Sequence, residues 1–218
     1  MKRLLTLALT LTLALAGGVA SAALEADKDY KVLPQAQAPE TAGKIEVLEF
    51  FQYGCGHCYD FEPAMHTWKM RNKAKDVEFR YVPTVWDESR VPQAKIYYTL
   101  EALGLVDQYH DKIYEAVHEK RLKIWDRDIL RTWVAQQPGI DAKKFDEAYE
   151  SFAVNSKVQR AAQLTKAYRI SGTPTVIVAG KYTTGPGYAM AGNKPDYNRV
   201  HQIIDELIVM ERGKKPAK

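Results

Sequence analysis

Cysteine is the scarcest chemical group in this 218-residue chain: there are two, Cys55 and Cys58, in "FFQYGCGHCYDFEP". That scarcity excludes a disulfide scaffold. A crosslink stabilises in proportion to the logarithm of the loop it closes, and this loop is close to the shortest available. It also argues against structural zinc, which wants four ligands, typically from two such pairs or from one pair and a distant His pair. His57 sits inside the short loop, and His66, His110, His118 and His201 show no ligand spacing. No metal and no organic cofactor is expected. Charge of one sign is lacking too. The formal net charge is +4, and loss of Lys2 and Arg3 with a leader would lower it by two, which gives no case for nucleic acid. Repeats and low-complexity blocks are absent. Beyond the first residues, no apolar run approaches the ~20 residues of a spanning helix.

The chain opens "MKRLLTLALTLTLALAGGVASAALEA". A basic start, an apolar stretch over 4–16 and the small residues Ala20, Ser21 and Ala22 read as a signal peptide over 1–22, cleaved after Ala22. No cysteine follows the apolar stretch, which argues against a lipid anchor. The expected product is a secreted chain in an oxidising compartment.

"KIEVLEFFQY" is apolar, β-branched and then aromatic, and it stops at Gly54. It predicts a central strand over 45–51, buried on both faces. Phe61, Met65 and Trp68 follow at helical spacing, with Pro63 among them. The cysteine pair therefore falls where a buried strand hands over to a helix. "VEFRYVPTV" predicts the next strand. Over 88–152 the pattern is helical, with stripes at Ile96, Leu100 and Leu103; at Ile113, Ala116 and Val117; at Ile129, Leu130, Trp133 and Val134; and at Phe145, Ala148 and Phe152. Asp126 or Asp128, and Asp141, are candidate helix caps. A helix over 156–169 follows, then a hairpin in "GTPTVIVAGKYTTG" turning at Ala179-Gly180, then a last helix from Pro195-Asp196. The order implies a right-handed strand–helix–strand crossover, an α/β core and a helical insertion.

A Cys-x-x-Cys at the start of a helix suits redox exchange. The first sulfur meets unpaired N–H groups and the positive end of the helix dipole, which favour a thiolate at Cys55. A protonated His57 would add to this. Cys58, one turn deeper, stays a thiol until it attacks. Pro174 in "SGTPTVIV" precedes an apolar strand and cannot donate to a ladder. It reads as a tight turn with a cis bond that leaves the backbone of Thr173 free for an extended peptide. An ordinary strand-entry proline is the other reading of the same residue.

"VLEFFQYGCGHCYDFEP", the helical block and "GTPTVIVAGKY" resemble the DsbA family of periplasmic thiol:disulfide oxidoreductases over essentially the whole mature chain. The resemblance implies a thioredoxin fold with an inserted helical domain. Its parts would be a first thioredoxin-like segment over 23–86, the insert over 87–153 and a second segment over 154–218. It implies that Cys55 is the nucleophile, Cys58 the resolving thiol and disulfide partner, His57 the tuning residue, and Thr173 and Pro174 the substrate-binding loop. Glu49 matches the family's buried acid, with Arg80 near the place of its basic partner. Gly56 stands where the best-known members have proline, and Thr173 stands where many have valine. A monomer that oxidises reduced cysteine-containing secreted proteins is expected, with a DsbB-like membrane quinone reductase to reoxidise it. A disulfide isomerase or reductase on the same fold, and a non-catalytic holdase, are the alternatives.

Overall fold

The computed structural model describes residues 23–72 and 74–214. The signal peptide expected over 1–22 lies outside them. The elements in order are strands β1 (Lys31–Val32) and β2 (Ile45–Phe51), helix α1 (Gly56–Arg71), strand β3 (Val77–Pro83), helices α2 (Val91–Ala102), α3 (Val106–His118), α4 (Arg127–Ala135), α5 (Ala142–Glu150) and α6 (Phe152–Ala167), strands β4 (Thr175–Val178), β5 (Tyr182–Thr184), β6 (Met190–Ala191) and β7 (Lys194–Pro195), and helix α7 (Tyr197–Arg212). Among the described residues no helix is long and apolar enough to cross a membrane.

The main sheet runs β1-β5-β4-β2-β3, and β6 and β7 form a separate ribbon. β2 lies parallel to β3 and antiparallel to β4, so it is hydrogen-bonded on both edges. Every one of its seven residues is buried, which is why apolar side chains occupy both faces, with Glu46 and Glu49 as the two buried exceptions. α1 and α7 cover one face: Phe61, Met65, Trp68, Val200, Ile203, Ile204 and Leu207 pack on Val47, Val176 and Val178. α6 covers the other face, where its Val158, Ala161 and Leu164 join Leu48, Phe50 and Ile177 in a core that continues into α2–α5.

Local chemistry sets the boundaries. Asp126 caps α4 by accepting from the N–H groups of Asp128 and Ile129, and Asp141 does the same for α5. The stripe that joined Phe145, Ala148 and Phe152 on one helix is corrected. Ser151 is extended (φ −65°, ψ 151°) and its hydroxyl accepts from Val154 N–H, so it ends α5 and starts α6. Phe152 therefore opens a new helix and is 87% exposed. The same cap moves the start of α6 back from 156 to 152. The two-residue strands β1, β6 and β7 are too short to carry a periodic signal in the sequence.

The β4–β5 turn has Ala179 at φ 56° and Gly180 at φ 66°, the two positive angles of a type I′ turn, which Lys181 N–H closes by donating to Val178 O at 3.1 Å. Gly180 is also stitched to the N-terminal segment, since Gln37 N–H donates to its carbonyl at 2.9 Å. A Cβ there would sit 2.2 Å from the Gln37 carbonyl oxygen. Gly180→Ala should therefore lower stability by about 2–4 kcal/mol, combining left-handed strain with overpacking. Denaturant unfolding would show this as a lower midpoint at unchanged slope; an unshifted midpoint would mean that the turn relaxes freely.

Candidate active site

β2 ends at Phe51, and the chain turns tightly, with Cys55 N–H donating to Gln52 O at 3.1 Å, before α1 begins at Gly56. Cys55 is the N-cap residue, in extended conformation (φ −93°, ψ 115°), and no side chain caps the helix. The first-turn N–H groups are thus left facing the Cys55 sulfur. The helical insertion holds the turn from behind. Gln93 Oε1 of α2 accepts from Gly54 N–H at 2.8 Å, and His118 Nε2 of α3 lies 2.8 Å from the Tyr53 carbonyl oxygen. The ring of His118 stacks on Tyr59 of α1, with centroids 4.9 Å apart. Sequence reasoning missed Gln93 and His118, because each is distant in the chain and has no motif around it.

The two sulfurs are free thiols in opposite surroundings. Cys55 is half-buried and Cys58 is fully buried. Cys55 is lowered from an ordinary 9.0 to about 5. The leading cause is a hydrogen bond from the Cys58 thiol, which outweighs the opposing cost of burial. Thr173 and the main-chain N–H groups of Cys58 and His57 add to it. Cys58 is pushed upward, first by burial and then by the neighbouring Cys55 sulfur. His57 thus acts on Cys55 through its backbone, where the sequence pointed to its imidazole. Its side chain is exposed and lies on the wall of an adjoining groove.

Across from Cys55, its sulfur lies 3.4 Å from the Thr173 carbonyl oxygen, to which the thiol donates. The Thr173–Pro174 peptide is cis. The same loop is anchored from the insertion side, where Trp86 Nε1–H donates to Ile170 O at 2.7 Å. Beside it runs a groove of about 790 Å³, lined by His57, Thr173 and Pro174 and by the apolar Val32, Leu33 and Met190.

Glu49 lies on β2, with 0% exposure, and neither of its carboxylate oxygens has a hydrogen-bond partner. Burial first, and then the nearby Glu62, push its carboxyl well above the usual range. The expectation that Arg80 partners Glu49 is corrected by the strand register. Glu49 stands opposite Tyr81, while Arg80 stands opposite Leu48, one residue out of step. Side chains alternate along a strand, so Arg80 projects from the other face. There it binds Glu40 at 2.6 Å and Glu46 at 3.4 Å.

A thiol held at about 5 makes stability depend on pH. The depressed group stabilises the folded reduced state fully above its unfolded value near 9, and this contribution fades as pH falls toward 5. At pH 9 it is worth about 5 kcal/mol before screening, and roughly half that for a half-exposed sulfur. The opposing crosslink across the short loop contributes about 1.9 kcal/mol. Denaturant melts should find the reduced form more stable at pH 9, the oxidised form more stable at pH 4, and a crossing near neutrality. Brief alkylation at about pH 6.5 should label Cys55 and spare Cys58, as read by mass spectrometry. Equal labelling would contradict the asymmetry.

The DSBA-like thioredoxin domain family matches residues 46–195. The chain is 37% identical over 219 residues to the thiol:disulfide interchange protein DsbA of Burkholderia cepacia, an alignment covering 99% of this chain and 100% of that one. It is 42% identical to the DsbA of Bordetella parapertussis over 173 residues, 79% of each chain. Among solved structures, Pseudomonas aeruginosa DsbA superposes with a TM-score of 0.80 at 32% identity, covering 87% of this chain and 95% of that one. Reduced DsbA1 of Neisseria meningitidis gives 0.78 at 31% identity, covering 89% and 98%. A redox pair at the head of α1, a parallel β2–β3 crossover, a helical insertion and matches that run nearly end to end leave one assignment: the chain belongs to the DsbA-like thioredoxin-domain family.

Proposed function

We propose that the protein is a thiol:disulfide oxidoreductase that introduces disulfides into reduced secreted proteins, working in the periplasm as a monomer. The observation that carries this reading is the opposite treatment of the two sulfurs. One is lowered to about 5 and accessible, the other is raised and buried. A low leaving-group pKa makes a disulfide a strong oxidant.

In the oxidised enzyme a substrate thiolate attacks Cys55 Sγ. The Cys55–Cys58 bond breaks, its electron pair goes to Cys58, and a mixed disulfide joins Cys55 to substrate. The buried Cys58 sulfur takes up a proton, for which Glu49 is the donor at hand. The second substrate thiolate then attacks the substrate sulfur of the mixed disulfide. The product disulfide forms and Cys55 leaves as a thiolate, stabilised by its hydrogen bonds. Two electrons now reside on the enzyme's dithiol. A DsbB-like membrane quinone reductase removes them, so the dithiol serves as its own redox cofactor. His57, Thr173 and Pro174 form the substrate-facing wall, where the backbone of Thr173 pairs with an extended peptide beside the attacked sulfur. Residues 23–86 and 154–218 form the thioredoxin-like domain, and 87–153 the inserted one.

Cys55→Ser should abolish oxidation of a reduced, unfolded substrate, followed by loss of its free thiols; a holdase would keep its activity unchanged. Cys58→Ser should instead accumulate mixed disulfides through Cys55, visible on non-reducing gels. Glu49→Gln should slow exchange about 10²-fold or more, the usual contribution of a positioned proton donor, with little loss of stability. A reduction potential close to that of reductases would sink the oxidase reading.

A further inference from the structure

The chain between β2 and α1 makes a β-turn over residues 52–55, closed by the bond from Cys55 N–H to Gln52 O. The central peptide of this turn joins Tyr53 to Gly54. Side chains of the insert take both polar groups of that one peptide. Gln93 Oε1 of α2 accepts from Gly54 N–H, and His118 Nε2 of α3 donates to the Tyr53 carbonyl, each at 2.8 Å. A carbonyl oxygen can only accept, so the His118 proton in this bond is on Nε2. The two bonds come from different helices and hold opposite edges of one plane. Gln93 is itself buried, and the His118 ring lies nearly parallel to that of Tyr59, at an angle of 10°.

A β-turn has two common forms that differ by a half-rotation of the central peptide. One keeps a negative φ at the third residue, and the other needs a positive φ there, which glycine adopts at little cost. The third residue here is Gly54, and it does not take the positive φ. Its surroundings are pinned. The Tyr53 ring is fully buried with its hydroxyl 2.9 Å from His110 Nδ1, and Cys55 N–H is held by Gln52. The chain can therefore change here by rotating the Tyr53–Gly54 peptide between fixed ends, and that rotation breaks both insert bonds together. We propose that Gln93 and His118 are positioning residues that lock the Tyr53–Gly54 peptide in one of its two orientations, and so hold the Cys55 sulfur against the first turn of α1. They act through the turn that carries the cysteine. The inference rests on the nucleophile role proposed for Cys55.

Cys55 is the N-cap residue, and its sulfur draws on the Cys58 thiol, on Thr173 and on the N–H groups of Cys58 and His57. Such bonds weaken steeply with distance and angle. A freed central peptide tilts the residue that follows it, so the sulfur leaves these donors for part of the time and the thiolate is less stabilised. Besides the sulfurs and the two histidines, the charged groups near the turn are Asp60 of α1 and Glu115 and Glu119 of α3. They gather at Tyr59, whose hydroxyl donates to Glu119 at 2.5 Å. Substitution of Gln93 changes none of these charges. Gly54 has a second part in the arrangement. A Cβ at that position would stand 3.3 Å from Gln93 Nε2, so the missing side chain lets the Gln93 amide lie against the turn.

The alkylation rate of Cys55 by iodoacetamide, followed against pH in the reduced protein, reads the thiolate fraction. Its native midpoint should lie at about 5. Gln93→Ala and His118→Phe, the second keeping a ring to stack on Tyr59, should each raise the midpoint by about one unit, a tenfold smaller thiolate fraction at low pH. His118→Gln keeps a donor but no imidazole and should return the midpoint to its native place. Gly54→Ala in the Gln93→Ala protein is the decisive variant. Alanine fills the space the amide has left and disfavours a positive φ, so it should restore the native midpoint without restoring any hydrogen bond. Relaxation-dispersion NMR should find μs–ms exchange at the amides of residues 53–55 in Gln93→Ala, and none in the native protein or in the double variant. Native midpoints in both Gln93→Ala and His118→Phe overturn the proposal, as does a raised midpoint in Gln93→Ala that Gly54→Ala leaves unchanged. A midpoint raised equally in His118→Gln and His118→Phe overturns the part assigned to His118. These readouts follow Cys55 itself, so failure of the oxidase reading would show in the substrate assay and leave them standing.

Discussion

The structure turns on the hydrogen bond between two sulfurs at the head of α1. A thiolate at Cys55 is stable because the Cys58 thiol and the first-turn N–H groups point at it, and they do so only while α1 starts at Gly56. That start is fixed by β2, which delivers the chain to the turn, and β2 is fixed by hydrogen bonds on both its edges. Much of the fold can be seen as holding one peptide corner still.

The helical insertion belongs to this arrangement as much as the sheet does. Gln93 binds Gly54, His118 binds the Tyr53 carbonyl, and Trp86 binds the loop ahead of Pro174. Both sides of the cleft between Cys55 and Thr173 are thus tied to residues on or beside the inserted helices. Displacement of the insert would change the approach of Thr173 to the sulfur before it changed the sheet.

The same packing creates an uncommon interior. Phe51 meets Tyr53, Tyr81, Tyr97 and His110 edge-on, with centroids 5.0 to 5.9 Å apart. Phenols in such a cluster bring hydroxyls into a dry region, where each needs a partner. Tyr81 and Tyr53 find theirs in Glu62 and His110. Glu49, left without a donor, has its carboxyl pushed well above the usual range by burial and by Glu62. Polar groups are buried here at a cost in stability that an apolar core would not incur.

The sequence alone determined the local features. The apolar run of β2, the Asp caps of α4 and α5, the Ala179-Gly180 turn and the Cys-x-x-Cys at a strand–helix junction are all set by neighbouring residues, so they can be read from neighbouring letters. The likeness of its motifs to a known family extended that reading to the insertion. Tertiary structure decided what depends on register and on distant packing. Whether Glu49 faces Arg80 or Tyr81 is a matter of one residue of strand alignment, and the alignment chose Tyr81. Whether Phe152 ends one helix or begins another rested on Ser151, whose extended backbone ends α5 and whose hydroxyl caps α6. His110, read from the sequence only as a histidine without ligand spacing, became the neighbour of Glu62 because α3 folds back over α1. No spacing along the chain encodes that contact, since it exists only once both helices are packed.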